Sequence, residues 1–306
     1  DDLSRTQFVE RSSFHALTRS IPRRFRWAMS NHLELAILGW FDSGKHSRIT
    51  IAKSWSNTGY NASMPLKTTR GDKGVPVKGR GAPANIEGRF EIWSRESADD
   101  GWATDDADLP PLKTEVTREV AKSIISRNNS PDIGFDASIN PYRGCEHGCS
   151  YCYARPSHAY LGMSPGLDFE TRLFAKINAA DLLKVELAAP GYICKSIAIG
   201  ANTDAYQPIE REFRITRSII EVLSAARNPF SVVTKNTLIE RDIDLMSPMA
   251  AKRLVRAFVS VTNLDPVLAR KLEPRAAAPY RRLETIKRLA DAGIPVGVMI
   301  APIGPE

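Results

Sequence analysis

Phe230-Ser231-Val232-Val233-Thr234 is a short apolar, β-branched run, preceded by the helix-terminating pair Asn228-Pro229. It reads as a strand buried on both faces, as strands of parallel sheets are. Similar runs recur on either side of it, at Ser138–Tyr142, Ser196–Gly200, Ala257–Thr262 and Pro295–Ala301. Amphipathic stretches lie between them. Ile209–Arg227 places Ile215, Ile219, Ile220, Leu223 and Ala226 near one helical face and stops at Asn228-Pro229. Ser247 reads as the cap of a second helix with Pro248 at its first position. Leu283, Ile286, Leu289 and Ala290 mark a third, closed by Gly293 and Pro295. Strands alternating with helices at roughly 30-residue spacing predict an α/β fold with a parallel sheet, a partial (β/α) barrel over 138–306. Five strands precede Glu306, so the chain is expected to be truncated at its C-terminus, with another βα unit beyond it.

The remainder is less regular. Residues 79–137 read as an extended arm packing on the core, with Gly79-Arg80-Gly81 and an acidic loop at Asp99–Pro111; Thr114–Arg127 suits a strand or a short helix equally. Residues 1–78 show no sustained period and are expected to be a disordered extension. The chain starts at Asp1, and Met64 would suit a translation start, so the residues before Met64 are expected not to fold. Residues 1–80 carry 14 Lys/Arg against 6 Asp/Glu, and the rest 28 against 29. The basic excess thus lies outside the part that carries chemistry. A basic tail can bind nucleic acid or membrane surface, but a solvated segment is the plainer reading. The apolar run Leu35–Phe41 is too short to span a bilayer, and no signal-peptide pattern surrounds it; the expectation is a cytoplasmic protein with no membrane association.

The chemistry is concentrated after the first predicted strand, in Asn140-Pro141-Tyr142-Arg143-Gly144-Cys145-Glu146-His147-Gly148-Cys149-Ser150-Tyr151-Cys152-Tyr153. Three of the four cysteines fall within eight residues, and Cys194 is alone. In a reducing compartment such a trio points to metal and not to disulfides. Placed after a strand, the loop sits at the C-terminal end of the sheet, where parallel barrels build active sites. Cys145, Cys149 and Cys152 can ligate three irons of a four-iron four-sulfur (4Fe-4S) cluster, leaving the fourth iron open. The alternative is a closed zinc site of three Cys with His147 or His158.

Cys-x3-Cys-x2-Cys with Tyr151 before the third cysteine resembles the radical S-adenosylmethionine (radical SAM) superfamily. Cys152–Tyr160, Asn202-Thr203-Asp204, Val233-Thr234-Lys235, Val259–Thr262, Leu272-Glu273-Pro274-Arg275 and Gly297–Pro302 resemble the branch that includes spore photoproduct lyase and DNA repair photolyase-like proteins. The resemblance implies a 4Fe-4S cluster that chelates SAM, cleaves it with one electron from an external flavodoxin- or ferredoxin-type donor, and yields a 5′-deoxyadenosyl radical. It implies SAM contacts from Tyr151, Thr203, Asp204, Lys235 and Ser260, weaker ones from Glu273 and Arg275 (which could instead pair with each other), and close backbone approach at Gly297 and Gly304. His147 and His158 read as hydrogen-bonded loop histidines or proton donors; Arg143 and Arg155 as ion-paired or anion-binding. Ala201 stands where spore photoproduct lyases carry a hydrogen-donor cysteine, so that lyase reaction is not expected. The substrate, a small molecule or a nucleic acid, is unspecified. A second reading is a nucleic-acid-binding repair protein whose cluster is structural.

Overall fold

The computed structural model describes residues 35–41, 49–53, 77–91, 112–130 and 133–302. Its central feature is a run of five parallel strands in sequential order: β5 (Ala137–Ile139), β8 (Ile197–Ile199), β9 (Phe230–Thr234), β10 (Val255–Ser260) and β11 (Val296–Met299). These are the five strands expected from sequence; β9 matches its expected bounds and the others are shortened or shifted by one to three residues at an end. Along β9 the residues at alternate positions are buried and the others half-buried, so both faces are covered, as the β-branched run requires.

Antiparallel strands close the edges of this run. β4 (Ile125–Arg127) pairs with β5; β1 (Leu35–Phe41) pairs with β11, and β2 (Ile49–Lys53) with β1. β1 and β2 fall in the stretch expected to carry no fold; the other residues of 1–76, Met64 included, lie outside the described residues, as do Gly304 and the acidic loop Asp99–Pro111. Thr114–Arg127 is neither one strand nor a helix. It supplies β4 and β3 (Glu115–Glu119), and β3 joins β7 (Arg172–Lys176) and β6 (Tyr142–Arg143) in a small second sheet.

Helices cross between consecutive parallel strands. A short α1 (Asp168–Thr171) and α2 (Ala179–Leu187) lie between β5 and β8, α3 (Glu210–Phe213) and α4 (Ile215–Ala226) between β8 and β9, α5 (Ile243–Ala251) between β9 and β10, and α6 (Pro266–Leu272) and α7 (Pro279–Asp291) between β10 and β11. Ile215, Ile219, Ile220 and Leu223 of α4 are buried in the main core with Phe230, Val232, Val255, Ala257 and Val259. The four α4 residues lie on one face because positions three and four apart stack.

Two helix boundaries differ from the sequence pattern. The stretch Ile209–Arg227 breaks at Arg214, which takes a left-handed conformation (φ 52°). The buried Glu210 carboxylate accepts from the Thr216 amide at 2.9 Å and so starts α4 afresh. Ser247 and Pro248 do not open a helix but lie inside α5. Asn236 opens this helical stretch, its side chain accepting from the Leu238 amide at 3.0 Å, and Ser247 Oγ instead donates to the Ala292 carbonyl at 2.8 Å. Among the described residues no helix is long and apolar enough to cross a membrane.

Candidate active site at the cysteine loop

The cysteine loop leaves the C-terminal end of β5 and is fastened along its length by backbone bonds. The Cys145 amide donates to the Phe169 carbonyl at 2.9 Å, and the Ser150 amide to Leu272 at 2.9 Å. Gly144 (φ 73°) and Gly148 (φ 66°) turn the chain where an L side chain is strained. A Cβ on Gly144 would also stand 2.8 Å from the Phe169 carbonyl oxygen. Gln207, fully buried, clamps the loop: its Oε1 accepts from the Glu146 amide at 2.9 Å and its Nε2 donates to the Gly144 carbonyl at 3.1 Å.

Glu170 is a second fastener. Its buried carboxylate accepts from the amides of Gly81 (3.0 Å) and Ala82 (2.8 Å) and pairs with Arg155 at 2.6 Å. Arg155 also donates twice to the Cys149 carbonyl, at 2.8 and 3.1 Å. Residues 81–82 thus lie directly on the loop. An added Cβ at Gly81 would sit 1.7 Å from the Gly148 carbonyl oxygen. Gly81→Ala is therefore expected to push this segment off the loop, lower stability by about 1–3 kcal/mol, and speed limited proteolysis between residues 77 and 91. An unchanged urea midpoint and cleavage rate would contradict this.

Cys145 and Cys149 are buried and Cys152 is half-buried. Burial pushes the Cys149 thiol up to about 12, against the nearby Lys235 ammonium, which pulls it down. Burial also raises Cys145, and the neighbouring cysteines add to the effect. A soft metal that accepts thiolate sulfur would reverse this cost. Among the described residues no three His, Cys, Asp or Glu side chains converge at the spacing one ion needs. Three thiolates that each take a different iron of a cluster need no such convergence. Cys194 lies before β8, at the opposite end of that strand, and donates to Asn228 Oδ1 at 3.3 Å.

The strand ends supply the other candidates. Lys235 follows β9, with Nζ 5.8 Å from the Tyr151 ring centroid, and Ser260, the last residue of β10, is buried. The Tyr151 hydroxyl donates to Glu273, whose carboxylate also takes the Thr262 hydroxyl at 2.9 Å and the Arg282 guanidinium. Glu273 does not pair with Arg275; Arg275 pairs with Glu146 at 2.9 Å. Thr203 and Asp204 turn into the protein. Thr203 Oγ1 donates to the Tyr142 carbonyl at 2.8 Å. Asp204 Oδ1 accepts from the Tyr206 amide (2.8 Å) and Thr234 Oγ1 (2.7 Å), while Oδ2 accepts from the Lys235 amide (2.7 Å) and faces His147 Nδ1 at 3.3 Å.

Burial alone would raise the Asp204 pKa, but His147 and these hydrogen bonds outweigh it and hold the carboxyl at about 2. A carboxyl depressed on folding stabilises the native state above its ordinary range, and that stability is lost as the pH falls to the folded value. Stability of roughly 2 kcal/mol should therefore disappear between about pH 4 and pH 2, and Asp204→Asn should flatten that slope in acid unfolding curves. The same slope in both proteins would contradict the assignment.

His147 is buried between Asp204 and Asn236 Nδ2 (3.3 Å), and His158 Nε2 donates to the Arg172 carbonyl at 2.9 Å, its pKa lowered by burial. Arg143 forms a two-bond pair with Glu119, both at 2.8 Å. The Tyr153 hydroxyl donates to the Ala201 carbonyl, which places Ala201 beside the cysteine loop. Gly297 is buried in β11, in register with Phe258. Glu170, Gln207 and Arg282 were not signalled in the sequence; a buried polar residue gives no local pattern until its distant partner is known.

Residues 139–306 match the family model described as the Radical SAM superfamily. An uncharacterised protein of Mycobacterium tuberculosis (strain ATCC 25618 / H37Rv) is 36% identical over 231 residues, covering 70% of this chain and 68% of its own. An uncharacterised protein of Methanocaldococcus jannaschii is 29% identical over 194 residues, 63% of this chain and 70% of its own. The structure of spore photoproduct lyase complexed with dinucleoside spore photoproduct is similar with a TM-score of 0.46 and 20% identity, over 62% of this chain and 52% of that one. The chain thus spans about half the length of that lyase.

Proposed function

Because the chain belongs to the radical SAM superfamily, we propose that Cys145, Cys149 and Cys152 hold a 4Fe-4S cluster with one iron left for SAM. The observation that carries this reading is the three-cysteine loop at the C-terminal end of β5, with Cys194, the one remaining cysteine, at the far end of β8. Bound there, cluster and SAM supply, on receipt of one electron, methionine and a 5′-deoxyadenosyl radical that takes hydrogen from a substrate.

The chain's own residues bind and position. Gln207, Arg155 and the Glu170 carboxylate fix the loop backbone, so the three thiols are presented in a preset frame. Lys235 offers a cation to the SAM carboxylate, and its field favours the Cys149 thiolate. Ser260 donates from the end of β10, and Tyr151, anchored on Glu273, forms a wall for adenine. Thr203 and Asp204, whose polar atoms are committed to the chain, act on the site through the Tyr142 carbonyl and His147. Residues 138–306 form the catalytic core, with 79–137 as an arm against it. Ala201 in place of a hydrogen-donor cysteine argues for a reaction other than thymine-dimer repair. The electron comes from a flavodoxin- or ferredoxin-type donor, which with the reduced thiols fits a cytoplasmic setting.

The test is anaerobic reconstitution with iron and sulfide, followed by reductant and SAM. Brown colour, absorbance near ~400 nm and release of 5′-deoxyadenosine are expected. A colourless, zinc-loaded protein that leaves SAM intact would overturn the proposal.

A further inference from the structure

A cavity of about 320 Å3 opens between the segments that follow β8, β9 and β10. Three of its lining residues are arginines from separate segments: Arg211 in α3, Arg275 after α6, and Arg281 in the first turn of α7. Asn236, Thr237 and Ala278 complete the part relevant to binding, and no lining residue is a carboxylate.

Two of the three guanidiniums have partners outside the cavity. Arg275 pairs with Glu146, and Arg281 with Glu284. Their side chains are still 37% and 38% exposed, and a guanidinium has five N–H donors, so each pair leaves donors over. Arg211 is exposed, and no carboxylate pairs with it among the described residues. Ala278 offers no side-chain cap to the thirteen-residue α7 at the cavity wall, which adds a positive dipole end to the three cations. Two of the three charges are partnered and Arg211 is not, so the cavity carries one cation without a carboxylate partner among the described residues.

We infer that this cavity is a binding site for an oxyanion, a phosphate group carried by a ligand. A guanidinium fork matches phosphate oxygens two at a time. Arg211, with the donors that Arg275 and Arg281 have left over, suits a multiply charged tetrahedral group, whereas a planar carboxylate takes one fork. The Arg275 amide donates to the His147 carbonyl and the Ala277 amide to the Lys235 carbonyl, both at 3.2 Å. The 275–277 wall of the cavity is therefore bonded to the cysteine loop and to Lys235, and Asn236 follows Lys235 directly, so a phosphate there lies next to residues of the proposed SAM site. The inference stands apart from the radical reading, because it is tested by binding alone.

The experiment is calorimetric titration of inorganic phosphate, and separately of acetate, into the chain with and without iron–sulfur reconstitution, at low ionic strength. Saturable binding of one phosphate is expected, with acetate at least ~10-fold weaker. Arg211→Gln and Arg281→Gln should each weaken phosphate about 10-fold, and Arg211→Glu should abolish binding. Lys252→Gln, at an exposed position just before β10 and so at the opposite end of the sheet, should change nothing. Arg211 makes no ion pair among the described residues, so its variants keep the test decisive if Arg281→Gln does not fold. Absence of saturable phosphate binding, equal affinity for acetate, or an equal loss in Lys252→Gln would overturn the inference.

Discussion

Changing any one of Cys145, Cys149 or Cys152 to Ala is expected to abolish 5′-deoxyadenosine formation and to cut the iron retained after reconstitution from about four per chain toward zero. Cys194 is exposed and bonded to Asn228 beyond the other end of β8, so it cannot replace a lost thiolate. Two thiolates hold a cubane cluster poorly, and a second open iron is exposed to loss. The fold should survive, because the loop is pinned by Gln207, Arg155 and Ser150 through backbone atoms and not through sulfur. Circular dichroism and the unfolding midpoint of the metal-free variants should therefore match the metal-free parent. Cys194→Ala should retain iron and activity. A Cys149→Ala protein that keeps a full iron complement would contradict the ligand assignment.

The largest effect on stability is expected at Arg282. Its side chain is 1% exposed and pairs with Glu273, which is fully buried. Arg282 also donates to the Ser260 carbonyl at 3.0 Å and to the Ala277 carbonyl at 2.6 Å, tying α7 to the end of β10 and the segment behind the cysteine loop. Burial alone would raise the Glu273 pKa, but Arg282 outweighs it and holds the carboxyl below the ordinary glutamate range. Arg282→Leu leaves that carboxylate buried and unpaired, a change that costs about 3–5 kcal/mol. In a chain of this size that lowers Tm by roughly 10 °C. Adding Glu273→Leu should recover much of the loss, since replacing both partners removes the unpaired charge. Because a depressed carboxyl stabilises only above its ordinary range, the difference between parent and Arg282→Leu should be largest near neutrality and shrink in acid. A Tm shift of only one or two degrees in Arg282→Leu would contradict this account of the pair.

The parallel strands were legible because a strand covered on both faces needs apolar, β-branched residues throughout, and Phe230–Thr234 or Val296–Met299 carry little else. Helix boundaries were less so. Ser247-Pro248 has the composition of a helix start, yet α5 already begins at Ile243, running on from a 3-10 turn (Thr237–Asp242) that Asn236 caps, and Ser247 is drawn to Ala292. The break at Arg214 depends on Glu210 reaching Thr216 while Arg241 holds the other carboxylate oxygen, a contact 31 residues long.

The site divides in the same way. The cysteine spacing is local and was read directly. Thr203 and Asp204 follow β8, and which way their polar atoms face is set by Tyr142, His147 and Thr234, far from them in sequence. The fasteners Glu170, Gln207 and Arg282 act across long sequence separations or under full burial, so nothing adjacent to them in sequence announces their roles.

The central claim is that three cysteines leave one iron open for SAM. Its most direct test is electron paramagnetic resonance of the reduced, reconstituted protein before and after SAM is added. A 4Fe-4S signal that changes on addition of SAM and is lost in Cys145→Ala is expected. A cluster signal that SAM leaves unchanged in the intact protein would contradict it.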